Sequence, residues 1–366
     1  MGRKIAFVVW SFAGMGGSER IVYDIVRMLD DRAFTCTVIG FEDGPFRALY
    51  ERLGIKTQCI SKSKKIDAGF VRDFRSIIAD EKVEVMNPHH FSPLFYTFLA
   101  TRFTGVRVIY TEHSRWQLEE LAFHKKIANR IMLGGIDGVV AISGQIEDYY
   151  LNRLRIPRKK IHLIYNGIDT AAFGSGSENG LRRQLGINKN DLVIGTVANI
   201  RPEKNLKLLV SAFSDLAKVY GNAVLVIIGQ DFMEGELQSF AGRSGAGDRI
   251  LFLGRRDDVP SLMKVLDIFC LPSIYEGLPL TVLEAMAAGV PVIGSDVLGI
   301  SEVIRHMENG LLFPSNDREK LAECIAALIK DDALRKRISL SGRRSVERRY
   351  SFENMIAGYE RLFSSL

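Results

Sequence analysis

Short apolar runs alternate along the chain with segments whose apolar residues recur at helical spacing. In the first half the runs are IAFVVW (5–10), TCTVIGF (35–41), VEVMN (83–87), VRVIYT (106–111) and GVVAIS (138–143). Between them SERIVYDIVRML places Val22, Ile25, Val26 and Leu29 on one face, which predicts an amphipathic helix. The second half repeats the scheme with DLVIGTVA, AVLVIIG, RILFLG, IFCLPS and PVIGS. Nearly continuous apolar strands alternating with helices predict parallel sheets covered on both faces. After IHLIYNGID the stretch TAAFGSGSENG is rich in Gly and Ser and poor in large apolar residues. It marks a junction near residues 167–185 between two doubly wound α/β lobes. Ligands of open parallel sheets bind beyond the carboxyl ends of the strands, so two facing lobes would hold a site in the cleft between them.

The length of 366 residues agrees with two domains of ordinary size. With 47% hydrophobic and 25% charged residues the chain is globular rather than disordered or fibrous. No apolar run approaches the ~18–20 residues of a membrane-spanning helix. The opening MGRKIAFVVWSFAGMGG reads as a first strand rather than a secretory signal, because it is short, lacks an A-x-A-like site and runs into a Gly turn. Cys36, Cys59, Cys270 and Cys324 are widely spaced, with no CxxC pair, which predicts a reduced cytoplasmic setting. Charge changes the picture more. The net +6 lies entirely before residue 170, where 25 Lys/Arg face 19 Asp/Glu; beyond it the numbers are 24 and 24. A basic first half calls for an anionic partner: nucleic acid, a phosphorylated substrate or an acidic membrane.

The candidate chemistry is densest in SIYEGLPLTVLEAMAAGVPVIGSD (273–296). Seven residues separate Glu276 from Glu284, and Gly277-Leu278-Pro279 opens the helix that carries Glu284. A Gly-containing helix start presents unpaired N–H groups suited to a phosphate, while a nearby carboxylate can accept hydrogen bonds from sugar hydroxyls. Spacing alone fits an ordinary strand–loop–helix with solvated glutamates at least as well.

The same segment resembles the E-x7-E signature of the retaining glycosyltransferases of family 4, which have the two-lobed GT-B fold. GMGGSER, YNGID, VANIRPEKN, VIIGQD, RILFLGRRDDV and ENGLLFP extend the resemblance through most of the chain, in order. It implies an N-terminal acceptor lobe (1–168, with a returning C-terminal helix at about 350–366) and a donor lobe (169–349). It implies that Glu276 contacts the transferred sugar, that Gly277 and Leu278 hold the donor diphosphate through backbone N–H groups, and that Glu284 binds the ribose. Gly229 in VIIGQD and Arg255 in RILFLGRRDDV are donor-binding by the same resemblance. In VANIRPEKN the family Arg falls at Asn199, while its Lys matches Lys204; Arg201 stands two residues beyond the usual place. Lys204 and Arg201 are the candidate countercharges for the leaving diphosphate, with Asn199 beside the donor.

GMGGSER follows the first strand, where Gly14, Gly16 and Gly17 permit a tight turn and Ser18 can cap a helix. Together with Glu42 it partly fits a dinucleotide-binding fingerprint, but Glu19 stands where Gly or Ala is needed. The resemblance assigns Gly16 and Gly17 to the donor phosphates. His113, closing a strand, matches the family's transfer-site histidine, with Glu112 beside it; His89 and His90 follow another strand. Asp296, Gly299 and Glu302 resemble a cleft-lining stretch in which Leu298 replaces a usual Gly. No D-x-D and no metal-spaced His/Cys/carboxylate cluster occurs, so transfer without a metal or other cofactor is expected, with a nucleotide diphosphate sugar as donor substrate.

The basic residues cluster at Lys62, Lys64 and Lys65, at Lys125, Lys126 and Arg130, and from Arg153 to Lys160. Phe123, Ile127 and Ile131 recur at helical spacing near the second group, which reads either as a cationic membrane-facing helix or as a core helix with a solvated face. The stripe Phe91, Leu94, Phe95, Phe98 and Leu99 reads best as a core helix. The expected protein is a cytoplasmic retaining transferase moving a hexose-type sugar to a lipid-linked or glycan acceptor, peripheral on the inner face of an anionic membrane. Nucleic acid is disfavoured for want of a reader module. The alternatives are a sugar-nucleotide epimerase or pyridoxal-dependent phosphorylase on the same fold, and a sugar-binding protein without catalysis.

Overall fold

In the computed structural model every apolar run named above forms a strand. The structure describes residues 2–14, 17–60, 68–113, 119, 122–175, 178 and 180–366. The strands of the first half are β1 (Arg3–Val9), β2 (Phe34–Gly40), β3 (Lys56–Cys59), β4 (Val85–Pro88), β5 (Arg107–Glu112), β6 (Gly138–Ala141) and β7 (Ile161–Leu163). Those of the second half are β8 (Leu192–Val197), β9 (Ala223–Ile228), β10 (Ile250–Phe252), β11 (Ile268–Leu271), β12 (Val292–Ser295) and β13 (Leu311–Phe313). The first seven make one sheet in the order β3-β2-β1-β4-β5-β6-β7, and the last six another, β10-β9-β8-β11-β12-β13. Every paired register in both sheets is parallel.

The pattern did not single out β3, β7 and β13, and all three are edge strands. An edge strand has one paired neighbour and can be short, so it needs no long apolar run. By contrast β1 and β4 run through the middle of their sheet, and Ile5, Ala6, Phe7 and Val8 are buried together with Val85 and Met86.

The chain divides into two units, Met1–Asn166 with Glu353–Leu366, and Gly167–Phe352. The helix Phe352–Ser365 gives most of its length to the first unit. There Phe363 sets its ring edge-on to Phe7 and Phe34, its carbonyl accepts from the Arg3 guanidinium, and Glu360 accepts from the Asp30 N–H at 3.2 Å. In the second unit the two connecting passages run side by side, Ile168 N–H donating to Tyr350 O at 2.9 Å and Phe352 N–H to Ile168 O at 3.0 Å.

Helix Gly17–Met28 buries Val22, Ile25 and Val26, and Leu29 just beyond it is buried too. Helix Phe91–Thr101 differs from its expected face. It buries Leu94, Tyr96, Thr97 and Ala100 and leaves Phe95, Phe98 and Leu99 half-buried. The Tyr96 ring meets Phe70 tilted at 4.6 Å and Phe41 edge-on at 5.7 Å, and the small Thr97 and Ala100 are buried on the same helix. Tight packing here favours the small residues over the larger aromatic stripe.

In each sheet the strand order reverses at one place, between β1 and β4 in the first and between β8 and β11 in the second. Adjacent loops leave such a point in opposite directions, which opens a crevice at the carboxyl ends of the strands. The loops after β8 and β11, at the second reversal, carry Lys204, Glu276, Gly277 and Leu278.

Candidate functional site

In the second unit the loops after β8 and β11 meet. A short turn, Pro202–Lys204, follows β8, and the left-handed Asn205 (φ 51°) starts the helix Leu206–Ala217. Ile274 N–H donates to Glu203 O at 2.9 Å, tying the two loops together. Lys204 Nζ lies 2.7 Å from Glu276 Oε1, and Ser273 Oγ donates to the same oxygen at 2.7 Å. The Ser295 hydroxyl in turn donates to the Ser273 carbonyl, so buried groups from β11 and β12 hold the loop. Gly277 is half-buried, Leu278 is buried, and the helix Leu280–Ala287 begins just beyond them. Glu284 is buried within that helix, which Gly289 closes in a left-handed conformation (φ 77°).

Two glycines are required here by space. A Cβ on Gly299 would lie 2.4 Å from the Glu276 carbonyl oxygen and 2.7 Å from that of Gly277, so helix Leu298–Val303 packs directly on the loop of the ion pair. A Cβ on Gly229, at the end of β9, would lie 2.0 Å from the Ala198 carbonyl oxygen. Leu298, where the resembled pattern has glycine, is exposed.

The structure does not gather all candidates around Lys204. Arg201 places its guanidinium 4.1 Å over the Phe232 ring. Asn199 is exposed, and its Oδ1 accepts from the Gln230 N–H at 3.2 Å. Arg255 is exposed on the loop after β10. Gly17 opens its helix in open space, so packing does not demand a glycine there. Gly16 lies outside the described residues, as do Lys62, Lys64 and Lys65.

In the first unit a histidine cluster closes the carboxyl ends of β4 and β5. His89 Nδ1 is 2.7 Å from His113 Nε2, and the rings stack with centroids 5.0 Å apart. On its other side His89 Nε2 is 3.0 Å from Asn87 Oδ1. His90, at φ 71°, sets its Nδ1 3.4 Å from Glu112 Oε1. Glu112 also accepts from the His113 N–H at 2.7 Å and from the Tyr110 hydroxyl. Burial pushes His89 down to about 3, helped by the neighbouring His90. Burial, with His89 and His90 adding to it, likewise holds His113 well below the usual imidazole range. Burial alone would raise Glu112, but the contacts with His90 and Tyr110 outweigh it and hold the carboxyl low.

Sequence reading missed Ser273, Asn87 and Tyr110. Each is a polar residue at or near the end of an otherwise apolar strand, which is the available signal: such a side chain is buried and needs a partner. Among the described residues no group of three or more His, Cys, Asp or Glu has metal-holding geometry, and no helix is long and apolar enough to cross a membrane.

Comparison with known proteins bears on the family and the fold. The family model described as glycosyl transferases group 1 matches residues 155–345, and that of glycosyltransferase family 4 matches residues 15–172. The N-acetyl-alpha-D-glucosaminyl L-malate synthase of Bacillus anthracis is 25% identical over 98% of this chain and 97% of its own length. An Escherichia coli UDP-Gal:alpha-D-GlcNAc-diphosphoundecaprenol alpha-1,3-galactosyltransferase is 24% identical over 87% of this chain and 86% of its own. Among solved structures, Anabaena HepE in complex with UDP superposes with a TM-score of 0.89 at 23% identity, covering 99% of this chain and all of that one. Sucrose-phosphate synthase from Thermosynechococcus elongatus gives 0.83 at 20%, covering both chains completely. With both family models matched and two doubly wound parallel units of the GT-B type, the chain belongs to the group 1, family 4 glycosyltransferases.

Proposed function

We propose that this glycosyltransferase moves a hexose-type sugar, with retention, from a nucleotide diphosphate donor to a hydroxyl of a lipid-linked or glycan acceptor. The observation that carries the donor half is the Lys204–Glu276 pair at the strand-order reversal of the second unit, beside Gly277, Leu278 and a helix start. A lysine and the backbone N–H groups of a helix start suit a diphosphate, and a carboxylate suits sugar hydroxyls. Similar proteins whose names specify a nucleotide sugar or UDP support the same donor class.

In the proposed reaction the C1–O bond to the diphosphate breaks as the acceptor oxygen bonds to C1 from the same face. The acceptor proton passes to the departing phosphate oxygen, and no covalent enzyme intermediate is needed. Lys204 offsets the charge that grows on the leaving diphosphate, a contribution of ~3–4 kcal/mol when one such donor is removed from comparable sites. Arg201 can join it by leaving Phe232. Glu276 orients the sugar, Glu284 the ribose, and His113 a hydroxyl of the reacting sugars. Gly16, Gly17, Asn199, Gly229 and Arg255 complete the donor set. No divalent ion is required in this scheme, because Lys204 and the helix start supply the positive charge.

The first unit takes the acceptor and touches the cytoplasmic face of an anionic membrane. Phe123 is 78% exposed and Ile131 63%, with Ile127 between them on one stripe of the helix Phe123–Gly135. Lys126 and Arg130 flank the stripe and are exposed. Basic residues near an anionic surface contribute ~1 kcal/mol each.

A panel of nucleotide sugars tests the donor class by thermal stabilisation and turnover. One nucleotide diphosphate sugar should raise the melting temperature and be consumed in the presence of a lipid-linked or glycan acceptor. If none binds, the proposed donor site is wrong.

A further inference from the structure

The hydrogen bonds behind His113 determine where its ring protons lie. Asn87 is fully buried, and its Nδ2 donates to the Ile109 carbonyl at 2.6 Å and to Thr111 Oγ1 at 3.0 Å. A backbone carbonyl can only accept, so the amide has one orientation, with Oδ1 turned to His89. That oxygen 3.0 Å from His89 Nε2 requires an N–H there. The His89 ring, buried and with no carboxylate partner among the described residues, is neutral, and its Nδ1 is therefore a lone pair. His113 Nε2, 2.7 Å away, must supply the proton of that bond. His89 N–H donates to Val8 O at 2.9 Å and His90 N–H to Thr111 O at 3.2 Å, which anchors the segment after β4 against β1 and β5.

We infer that Asn87 and His89 are positioning residues that lock His113 as its Nε2–H tautomer, leaving Nδ1 as a bare acceptor. The inference deepens the role proposed for His113 and rests on it for its meaning in catalysis. It also fixes the ligand chemistry. Among the described residues none hydrogen-bonds Nδ1 of His113, whose side chain is half-buried rather than sealed. A lone pair at Nδ1 accepts from a sugar hydroxyl and repels a phosphate oxygen, which has no proton to give. His113 thus selects a hydroxyl of donor or acceptor and does not act as a phosphate ligand or as an acid in the resting enzyme.

The full chain labelled with 15N-histidine tests this directly, since it has only six histidines. Long-range proton–nitrogen spectra at neutral pH should show His113 with a protonated, pyrrole-type Nε2 and an unprotonated Nδ1. His113→Gln identifies the signals. A protonated Nδ1, or an imidazolium, in the wild-type chain overturns the inference. His89→Leu removes the acceptor and should turn His113 into a mixture of tautomers. His89→Asn, whose Oδ1 falls near the lost Nδ1, should restore the Nε2–H form. An unchanged His113 pattern in His89→Leu also overturns it; if that variant does not fold, the wild-type and His89→Asn spectra still decide. These spectra need no substrate. A correct tautomer in a chain that turns over no nucleotide sugar would therefore count against the transferase role of His113 and leave the relay standing.

Discussion

Lys204 and Glu276 stand 72 positions apart in sequence and 2.7 Å apart in the fold, joined by the reversal of strand order between β8 and β11. The pair is partly shielded, and Ser273 shares the carboxylate. In this position it is a preformed polar site rather than a stabilising device, because partly exposed ion pairs contribute only ~0–1 kcal/mol to folding.

Lys204→Ala and Glu276→Ala should therefore separate activity from stability. Each is expected to lower turnover of the donor by ~100- to 1000-fold while shifting the melting temperature by only a few degrees. Steady-state kinetics with parallel thermal melts checks this. Full activity in either variant would remove that residue from the site.

Gly299→Ala places a methyl 2.4 Å from the Glu276 carbonyl, against backbone that cannot swing aside as a side chain can. The expected cost is ~1–3 kcal/mol of stability together with a loss of donor binding, because the strain falls on the loop that carries Glu276 and Gly277. Chemical denaturation and thermal shift with the bound donor measure the two effects. Gly299→Ala with wild-type affinity would show that the loop tolerates displacement.

Acid should weaken the first unit. His89 is held at about 3 and His113 well below 6.5, so between pH 6.5 and those lower values the unfolded chain binds protons that the folded chain refuses. Stability then falls as pH falls, by at most ~1.4 kcal/mol per pH unit for each histidine. Glu112, held below its ordinary 4.5, adds a loss of the same sign once the pH drops below that value. Among the described residues His90, Tyr110 and Tyr150 are further titratable groups facing this cluster. Melting temperatures followed from about pH 7.5 to about pH 5 should decline, and the decline should be shallower in His89→Leu.

Treatment with EDTA should leave the rate within about twofold of the untreated enzyme if Lys204 and the helix start are sufficient countercharge. Loss of activity restored by a divalent ion would overturn that scheme.

Vesicles containing anionic lipid should bind the protein, and neutral vesicles should bind it less. Replacing Phe123, Ile127 and Ile131 together by serine is expected to weaken binding by ~10-fold or more, since each buries apolar surface at ~25 cal/mol per Å². Co-sedimentation gives the measurement, and equal binding by the triple variant would clear this stripe of the role.

The doubly wound architecture is legible in the chain because buried parallel strands must be apolar on both faces, whether Phe7 in β1 or Val226 in β9. Edge strands such as Lys56–Cys59 escape that constraint and leave no comparable mark. Glu276, Glu284, Lys204 and His113 stand out through the resemblance of their motifs, not through spacing alone. Their partners do not. Ser273 is one serine among many, and Asn87 is one polar residue closing an apolar run.

The order of apolar and amphipathic segments is a local property, and it suffices to specify two parallel α/β units and the loops that carry chemistry. Which loops meet is a non-local property of strand order. It brings Lys204 to Glu276 through a crossover and sets Arg201 over Phe232. It also seals Asn87 between β4 and β5, where a carbonyl that can only accept orients the amide and, through His89, the protons of His113.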